Sequence, residues 1–210
     1  MGRQNWRGGA LIAPVPPALV SCELDGKVNV LTVAWCGILS TIPPRTYISV
    51  REQRYSHHII KESGEFVINL PRVDMARTVD FCGMYTGRKV DKVAKCNLHL
   101  GASMEVTPPH IEECPIALEC RVREVVNSGT HDVFVADIVS VSVDESIINS
   151  DGKMEIERAN LMAYAHGEYF SLGRKLGVFG FSSMKAGSQK KKDAAVLRNR
   201  KKAQEKSDKK

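Results

Sequence analysis

The stretch SVREQRYSHH at residues 49–58 places two arginines, a tyrosine, two serines and two histidines where a short run of strand-forming residues is expected to end. Arg51 and Arg54 can present forked donors to a phosphate group, and Ser56 adds a hydroxyl. The backbone N–H groups that open a following helix would point to the same place, at the positive end of the helix dipole. These residue types favour a phosphate site. The alternative is a polar turn whose arginines pair with nearby carboxylates.

A second set of residues has the chemistry to contact a flat ring. The stretch NVLTVAW at residues 29–35 ends on Trp35. A flat heteroaromatic ligand would use an aromatic wall, small neighbouring residues and backbone N–H groups. A tryptophan at the end of a barrel strand more commonly packs in the core or at the rim, so both interpretations of Trp35 stay open. Arg88 and Lys92 in a charged loop, and His131 at a turn, carry no specific signal by themselves.

Other sources of chemistry leave no signature in the sequence. There is no P-loop, no Ser-His-Asp order and no G-x-G-x-x-G that follows a strand. His57 and His58 are adjacent and would point in different directions from a helix, so they make a poor metal pair. The six cysteines form no C-x-x-C pair, so we expect no structural metal and reduced thiols, mostly in the core. If the chain is an enzyme, a cofactor is expected to supply the chemistry.

Strands dominate the elements that must position these residues. They are predicted at residues 18–24, 28–36, 46–50, 65–70, 116–123 and 132–143, the first two joined by an Asp-Gly hairpin turn. Two short helices are predicted, one capped by Ser56 and ended by Gly64, the other capped by Asp74 and ended by Gly83. In the strand at 116–123 apolar and polar side chains alternate, which predicts a solvent-facing side that carries Ala117, Glu119, Arg121 and Arg123. The pattern predicts a mainly β fold, an antiparallel barrel with a few short peripheral helices.

Composition and charge restrict the class of protein. The 210 residues are 43% hydrophobic and 26% charged, as in a soluble globular protein. No apolar run approaches the roughly 20 residues that cross a bilayer, and the N-terminus lacks the apolar core of a signal peptide. We therefore expect a cytoplasmic protein that does not contact a membrane.

The positive charge is concentrated at the C-terminus. Residues 185–210 carry 11 Lys and Arg against 3 Asp and Glu, a net charge of +8, and because the whole chain carries +6 the preceding residues carry −2. We therefore expect one domain at residues 1–185 and a basic, flexible tail at residues 186–210. A solvated tail is favoured over one that binds nucleic acid or another polyanion, a function that salt would weaken steeply.

Six stretches, in order and with compatible spacing, carry a resemblance to a known family: DGKVNVLTVAW, ISVREQRYSHHII, EFVINLP, GRKVDK, ECPIALEC and SGTHDVFVADI. Between about Ala13 and Lys185 the chain resembles the flavin-reductase-like, FMN-binding split-barrel family, and in particular its flavoredoxin branch. The resemblance implies a split β-barrel homodimer that binds FMN noncovalently near the subunit interface. It also implies an FMN-dependent oxidoreductase or electron carrier, supplied with electrons by NAD(P)H or by a redox partner protein.

The resemblance also implies which residues contact the cofactor, and it implies no catalytic acid, base or nucleophile. The residues that would line the isoalloxazine are Asn29, Thr32 and Trp35. Those that would hold the ribityl chain and the phosphate are Ser49, Val50, Arg51, Arg54, Tyr55 and Ser56. Lys92 would lie near the flavin or its phosphate with Arg88 supporting that loop, and His131 would approach the ring. A C-terminal aromatic contact is left open between Tyr164, Tyr169 and Phe170.

Two alternatives keep the barrel but change the function. A split barrel without flavin would act as a binding module that contacts polyanions through its basic tail. A related barrel would hold another cofactor such as haem, with His131 as an axial ligand.

Overall fold

The computed structural model describes residues 2–183. These residues fall into two units, one that extends to Leu172 and a short segment from Gly173 onward that contains a 3-10 helix at Phe181–Ser183. The predicted tail at residues 186–210 lies outside the described residues. Within residues 2–183, no helix has the length and apolar composition needed to cross a membrane.

The first unit is built mainly of strands with three short α-helices. The strands are β1 (Ala18–Leu24), β2 (Lys27–Val33), β3 (Cys36–Thr41), β4 (Pro44–Val50), β5 (Glu65–Leu70), β6 (Leu100–Gly101), β7 (His110–Ile111), β8 (Ile116–Asn127), β9 (Asp132–Val143), β10 (Met162–Ala165) and β11 (Glu168–Ser171). The helices are α1 (Tyr55–Ser63), α2 (Ala76–Met84) and α3 (Lys92–Lys95). The mainly β composition with few short helices confirms the predicted fold class.

Seven of the strands form one sheet in the order β2-β1-β5-β8-β9-β4-β3, and each pair is antiparallel. The two outermost strands of this order, β2 and β3, are consecutive in the chain and are separated only by Ala34 and Trp35. Because two residues cannot span an open seven-stranded sheet, the sheet must curl until its two edges meet. Trp35 lies at that corner, where its carbonyl oxygen accepts a hydrogen bond from the Ser49 N–H at 2.8 Å.

The core of the unit lies on both sides of β1. Alternate residues of β1 point into the barrel, where Val20 joins a buried cluster that contains Phe66 and Phe134. On the outer side of the same strand, Leu19 packs with Val79 of α2. Both faces of β1 are therefore covered, which explains why residues 18–22 are apolar or small without alternation.

The predicted strand at residues 28–36 is wrong at its end, and β3 was not predicted. The chain bends at Ala34 and Trp35, so that β2 stops at Val33 and a new strand begins at Cys36. β3 carries exposed Ile38 and Leu39, and its pairing register with β4 shifts between Ile38 and Ser40. This irregular strand lacks the period-two alternation by which a half-buried strand is recognised in a sequence.

Both predicted helix caps are also wrong. Arg54 occupies the N-cap of α1 with an extended backbone, and Ser56 lies inside the helix. α2 begins at Ala76 after a 3-10 turn that contains Asp74, and it continues through Gly83 to Met84. The end of α1 is as predicted, because Gly64 adopts a φ of 70° and its N–H binds the Ile60 carbonyl oxygen.

The outer face of β8 is more covered than its alternation predicts. Glu119 is buried, and its carboxylate accepts hydrogen bonds from the backbone N–H groups of Met104 and Glu105 at 3.0 and 2.7 Å. Ala117 is buried beside Val106. The loop between β6 and β7 therefore covers part of a face that was expected to be solvated, and the buried carboxylate is stabilised by backbone donors.

Candidate cofactor site

Two adjoining cavities, with volumes of about 420 and about 380 Å³, share the side chains of Leu31, Arg51 and Arg54. Volumes of this size are ordinary for small-molecule sites. Together the cavities bring eleven of the twelve predicted site residues to one place: Asn29, Thr32, Trp35, Ser49, Val50, Arg51, Arg54, Tyr55, Ser56, Lys92 and His131. The twelfth, Arg88, lies just outside, with its guanidinium carbon 5.8 Å from the centre of the Tyr55 ring.

The larger cavity, here the cationic cavity, combines positive charge with hydroxyl groups. Its cations are Arg51, Arg54 and Lys92, and its hydroxyls come from Tyr55, Ser56, Tyr85, Thr86 and Thr130. None of the described residues that line it is Asp or Glu. Such a surface favours an anion, because charged hydrogen bonds from several donors converge on it without a competing carboxylate.

Arg54 is held between two helices at the wall of this cavity. It is the N-cap of α1, and its Nη1 donates to the Gly83 carbonyl oxygen of α2 at 2.9 Å. α1 has no acidic residue in its first turn. The positive end of its dipole and its first N–H groups therefore add to the charge of the guanidinium.

Asn29 and Ser56 form a buried hydrogen bond at the floor of the cationic cavity. The Asn29 Nδ2 donates to the Ser56 Oγ at 2.6 Å. Because the Ser56 oxygen accepts this bond, its own proton can be donated, and the buried Cys22 thiol lies within hydrogen-bonding reach as one acceptor. Gly87 packs closely against the side chains of Asn29 and Tyr55. A Cβ at residue 87 would lie 2.7 Å from the Tyr55 Cδ1 and overlap the Asn29 amide.

Lys92 lines the cavity but is only 3% exposed, and its side chain also links two elements of the fold. Its Nζ donates to the carbonyl oxygens of Val30 at 2.7 Å and Cys82 at 2.9 Å. Burial lowers the pKa of the ammonium group, and the positive charge of Arg54 lowers it further. Two of its three donors are thus committed to β2 and α2, which leaves one for a ligand.

The smaller cavity, here the aromatic cavity, is lined by Trp35, His131 and Tyr164 together with residues of β2 and β4. The rings of Trp35 and His131 pack with centroids 4.5 Å apart at an angle of 50°. Burial, followed by the charges of Arg51 and Arg54, lowers the pKa of His131, so that its imidazole is neutral at pH 7. The hydroxyl of Thr32 is already occupied, because it donates to the Val79 carbonyl oxygen.

The structure distributes some predicted residues differently from the resemblance. Asn29, assigned to the ring, lines the cationic cavity, whereas Ser49 and Val50, assigned to the ribityl chain and phosphate, line the aromatic cavity. Arg51 lines both. The two ends of the site therefore follow one another along the chain: the start of β2 and the residues after β4 line the cationic cavity, whereas the end of β2 and the end of β4 line the aromatic cavity.

The three C-terminal aromatic residues occupy different surroundings. Tyr164 lines the aromatic cavity and is fixed by two backbone hydrogen bonds to Val15 at 2.8 and 2.9 Å. The Tyr169 hydroxyl donates instead to the Asp80 carboxylate at 3.4 Å. Phe170 is half exposed. Of the three residues that the sequence left open, the structure brings Tyr164 to the site.

Eight further lining residues were missed in the sequence: Leu31, Val33, Ala34, Gln53, Tyr85, Thr86, Gly87 and Thr130. Four of them lie between or beside predicted residues of β2 and of the β4–α1 loop, and Thr130 precedes His131, so proximity along the chain was the available signal. Residues 85–87 follow α2 and reach the site only through the packing of that helix. No pattern in the sequence indicates such a contact.

The residues present fit a ligand that joins an anionic group to a planar ring. Donors and cations converge in one cavity, aromatic side chains line the other, and the two adjoin, with Arg51 and Arg54 in the walls of both. FMN joins an anionic phosphate and a polar ribityl chain to a flat ring, so it requires a site with both kinds of lining.

Known proteins have the same fold and a similar sequence. Residues 12–173 match the family described as flavin reductase like domain. Flavoredoxin of Desulfovibrio vulgaris (Miyazaki F) superposes with a TM-score of 0.81 at 28% identity, covering 87% of this chain and 100% of the flavoredoxin. Flavoredoxin from Methanosarcina acetivorans gives a TM-score of 0.80 at 28% identity over 88% and 100% of the two chains. An uncharacterized protein of Archaeoglobus fulgidus is 36% identical over 145 residues, 69% of this chain and 81% of its own. The predicted split β-barrel is confirmed.

Proposed function

The chain belongs to the flavin reductase like domain family, and we propose that it binds FMN noncovalently and acts as an oxidoreductase or electron-transfer flavoprotein. The observation that carries this proposal is that the cationic and aromatic cavities adjoin and share Arg51 and Arg54 in their walls. A ligand that is anionic at one end and planar at the other matches both cavities. The similarity to two flavoredoxins supports the same ligand class.

The cationic cavity would hold the phosphate and part of the ribityl chain. Arg51 and Arg54 supply guanidinium donors, and Ser56 supplies a hydroxyl whose oxygen accepts from Asn29 and whose proton would be donated to the ligand. The N-terminus of α1 adds backbone donors. Asn29 would then orient the Ser56 hydroxyl that contacts the phosphate, and would not contact the isoalloxazine ring.

The aromatic cavity would hold the isoalloxazine ring against Trp35 and His131, beside the backbone of residues 32–34. A bound flavin supplies the redox chemistry, since it accepts a hydride or electrons and passes them on. The neutral imidazole of His131 can donate or accept one hydrogen bond without adding a full charge beside the ring. In this arrangement Trp35 would shield one side of the ring from water.

We also propose that the protein is a homodimer, as its resemblance implies. Next to the aromatic cavity, Trp35 is 43% exposed, Ile38 is 62% exposed and Ile42 is 92% exposed. Large apolar side chains on and beside an edge strand favour coverage by another copy. Light scattering coupled to size exclusion would give twice the chain mass if this is so, and the mass of one chain would contradict it.

The test of the FMN proposal is the visible spectrum of the purified protein after incubation with FMN and removal of free ligand. Retained flavin absorbance in a one-to-one ratio with the chain is expected. A colourless protein would exclude the proposal.

The electron donor separates the two forms of the proposed activity. A reductase would bleach its flavin rapidly when mixed with NADH or NADPH in a stopped-flow instrument. A carrier would stay oxidised with both and accept electrons only from a reduced partner protein.

A further inference from the structure

A buried histidine–carboxylate pair links α1 to the β8–β9 hairpin, and each member is next in the chain to a residue that lines a cavity. The Nε2 of His57, in α1, is 2.9 Å from the Oδ2 of Asp132, the first residue of β9. His57 is 6% exposed and Asp132 is 3% exposed. The His57 ring also meets the Phe134 ring edge-on, with centroids 5.3 Å apart. Packing and hydrogen bonding together fix the orientation of the imidazole.

The carboxylate of Asp132 joins three elements. Its second oxygen, Oδ1, accepts from the Asn127 Nδ2 at 2.9 Å, across the β8–β9 hairpin. Lys61 of α1 adds a positive charge 3.9 Å from Oδ2. The hydrogen bonds from His57 and Asn127 hold the pKa of Asp132 below its usual range, so the carboxylate is ionised. α1 and both strands of the hairpin are thus linked at a single carboxylate.

Each member of this pair is adjacent in the chain to a cavity residue. His57 follows Ser56, which lines the cationic cavity, and Asp132 follows His131, which lines the aromatic cavity. The hairpin turn between the strands is closed by a hydrogen bond from the Ser128 N–H to the His131 carbonyl oxygen at 2.8 Å. A change in the separation of α1 and the hairpin would therefore move Ser56 relative to His131.

We propose that His57 and Asp132 are positioning residues that hold the phosphate end and the ring end of the site at the separation that one FMN molecule requires. This inference rests on the proposed function. The physical reason is that two subsites add their affinities on one ligand only when their geometry allows both to be occupied together. Side chains that touch a ligand keep their geometry when buried hydrogen bonds behind them are satisfied.

A positioning role can be separated from a purely structural one by comparing two ligands. Riboflavin has the ring and ribityl chain of FMN but lacks the phosphate, so the ratio of the Kd for riboflavin to the Kd for FMN measures what the phosphate adds. Loss of the pair should lower this ratio, because the phosphate and the ring no longer reach their subsites together. General loosening of the fold would weaken both ligands alike and leave the ratio unchanged.

The experiment compares three variants, two at Asp132 and one at His57, with a control. Asp132→Ala removes the link, and we expect the ratio to fall by about tenfold or more, the equivalent of about one hydrogen bond to a charged group. Asp132→Asn keeps an acceptor for Asn127, and its amide can donate to the His57 Nε2 when the imidazole carries its proton on Nδ1, so we expect it to retain most of the ratio. His57→Ala should resemble Asp132→Ala. Asp137→Ala is the control, since Asp137 lies on the same strand but pairs with Arg45 and Arg123 at the surface.

A second readout needs no ligand. In a Trp6→Phe background the intrinsic fluorescence comes from Trp35, which packs on His131. Asp132→Ala should change the Trp35 emission because the hairpin moves, whereas Asp132→Asn and Asp137→Ala should not. This measurement keeps the inference testable if an alanine variant binds flavin too weakly to measure.

The outcomes distinguish the two proposals. A wild-type protein that binds neither flavin contradicts the proposed function, while the Trp35 emission still tests the link between α1 and the hairpin. A wild-type protein that prefers FMN, together with Asp132→Ala that keeps the same ratio and the same Trp35 emission, overturns the positioning role alone. A lowered ratio in both alanine variants, with recovery in Asp132→Asn, supports it.

Discussion

The imidazole of His131 packs against the indole of Trp35 with ring centroids 4.5 Å apart, although the two residues lie almost 100 positions apart in the sequence. Trp35 lies where the two edges of the curled sheet meet, and His131 is brought to it by the β8–β9 hairpin. The barrel closure and the hairpin together thus build the wall of the aromatic cavity.

His131 is expected to titrate below the usual pKa of a histidine. Burial and the charges of Arg51 and Arg54 favour the neutral imidazole in the folded state. Because the folded pKa is lowered, the unfolded chain binds more protons below about pH 6.5, and His131 makes the fold less stable as pH falls through that value. NMR titration of the His131 ring measures the pKa, and His131→Gln should remove this part of the pH dependence of unfolding. A pKa above the usual value would contradict the proximity of the two arginines.

Trp35→Ala should change the environment of the ring more than the hold on the phosphate. Loss of the aromatic wall admits water to the aromatic cavity, so we expect a shifted flavin absorbance spectrum and an altered midpoint potential. The ratio of riboflavin to FMN dissociation constants should stay close to that of the wild type. Trp6→Ala is the matched control, because Trp6 is exposed near the N-terminus. An unchanged spectrum and potential would show that Trp35 is not beside the ring.

Arg51 and Arg54 should supply much of the affinity for FMN. A hydrogen bond to a charged group contributes about 1.5–3 kcal/mol, so the double variant Arg51→Ala/Arg54→Ala is expected to weaken FMN binding by several kcal/mol. Riboflavin binding should fall much less. Calorimetric or fluorescence titration gives both dissociation constants.

The control for this double variant removes the same charge at another place. Arg45 and Arg123 both pair with Asp137 at the surface, and Arg45→Ala/Arg123→Ala should leave FMN affinity nearly unchanged. If both double variants weaken FMN binding to the same extent, then the arginines of the site act through net charge and not through contact with the phosphate.

Gly87→Ala should disturb the cationic cavity from the side of the loop after α2. The added Cβ would overlap the Asn29 amide and approach the Tyr55 ring, so the loop or the Asn29–Ser56 hydrogen bond must shift. Overpacking of this kind costs about 1–3 kcal/mol, and we expect a loss of FMN affinity as well as of stability. Gly101→Ala is the control, since its Cβ would overlap the His110 ring outside both cavities. It should lower the melting temperature without changing FMN affinity.

The sequence predicts the lining of the cationic cavity best where the relevant residues are neighbours in the chain. The donors at residues 51–56 indicate a phosphate site because arginines, a serine and a helix start are adjacent, and the structure places Arg51, Arg54, Tyr55 and Ser56 in one cavity. The aromatic end could not be recognised with equal certainty from Trp35, because its pairing with His131 depends on barrel closure. The resemblance to a family supplied that part of the prediction.

The errors have one physical origin, which is tertiary packing that overrides local pattern. Ser56 has the side chain of a helix cap, but its hydroxyl binds Asn29 of a neighbouring strand instead. Glu119 has the alternation of a solvated residue, but a distant loop buries its carboxylate and supplies N–H donors to it. Neither partner lies close enough in sequence for propensity or periodicity to reveal it.

Electron density in crystals of the protein grown with FMN tests the central claim most directly. We predict that the phosphate lies in the cationic cavity within hydrogen-bonding distance of Arg51, Arg54 and Ser56, and that the isoalloxazine lies against Trp35 and His131. Crystals at saturating FMN in which both cavities hold only solvent, or in which FMN binds elsewhere, would contradict the account.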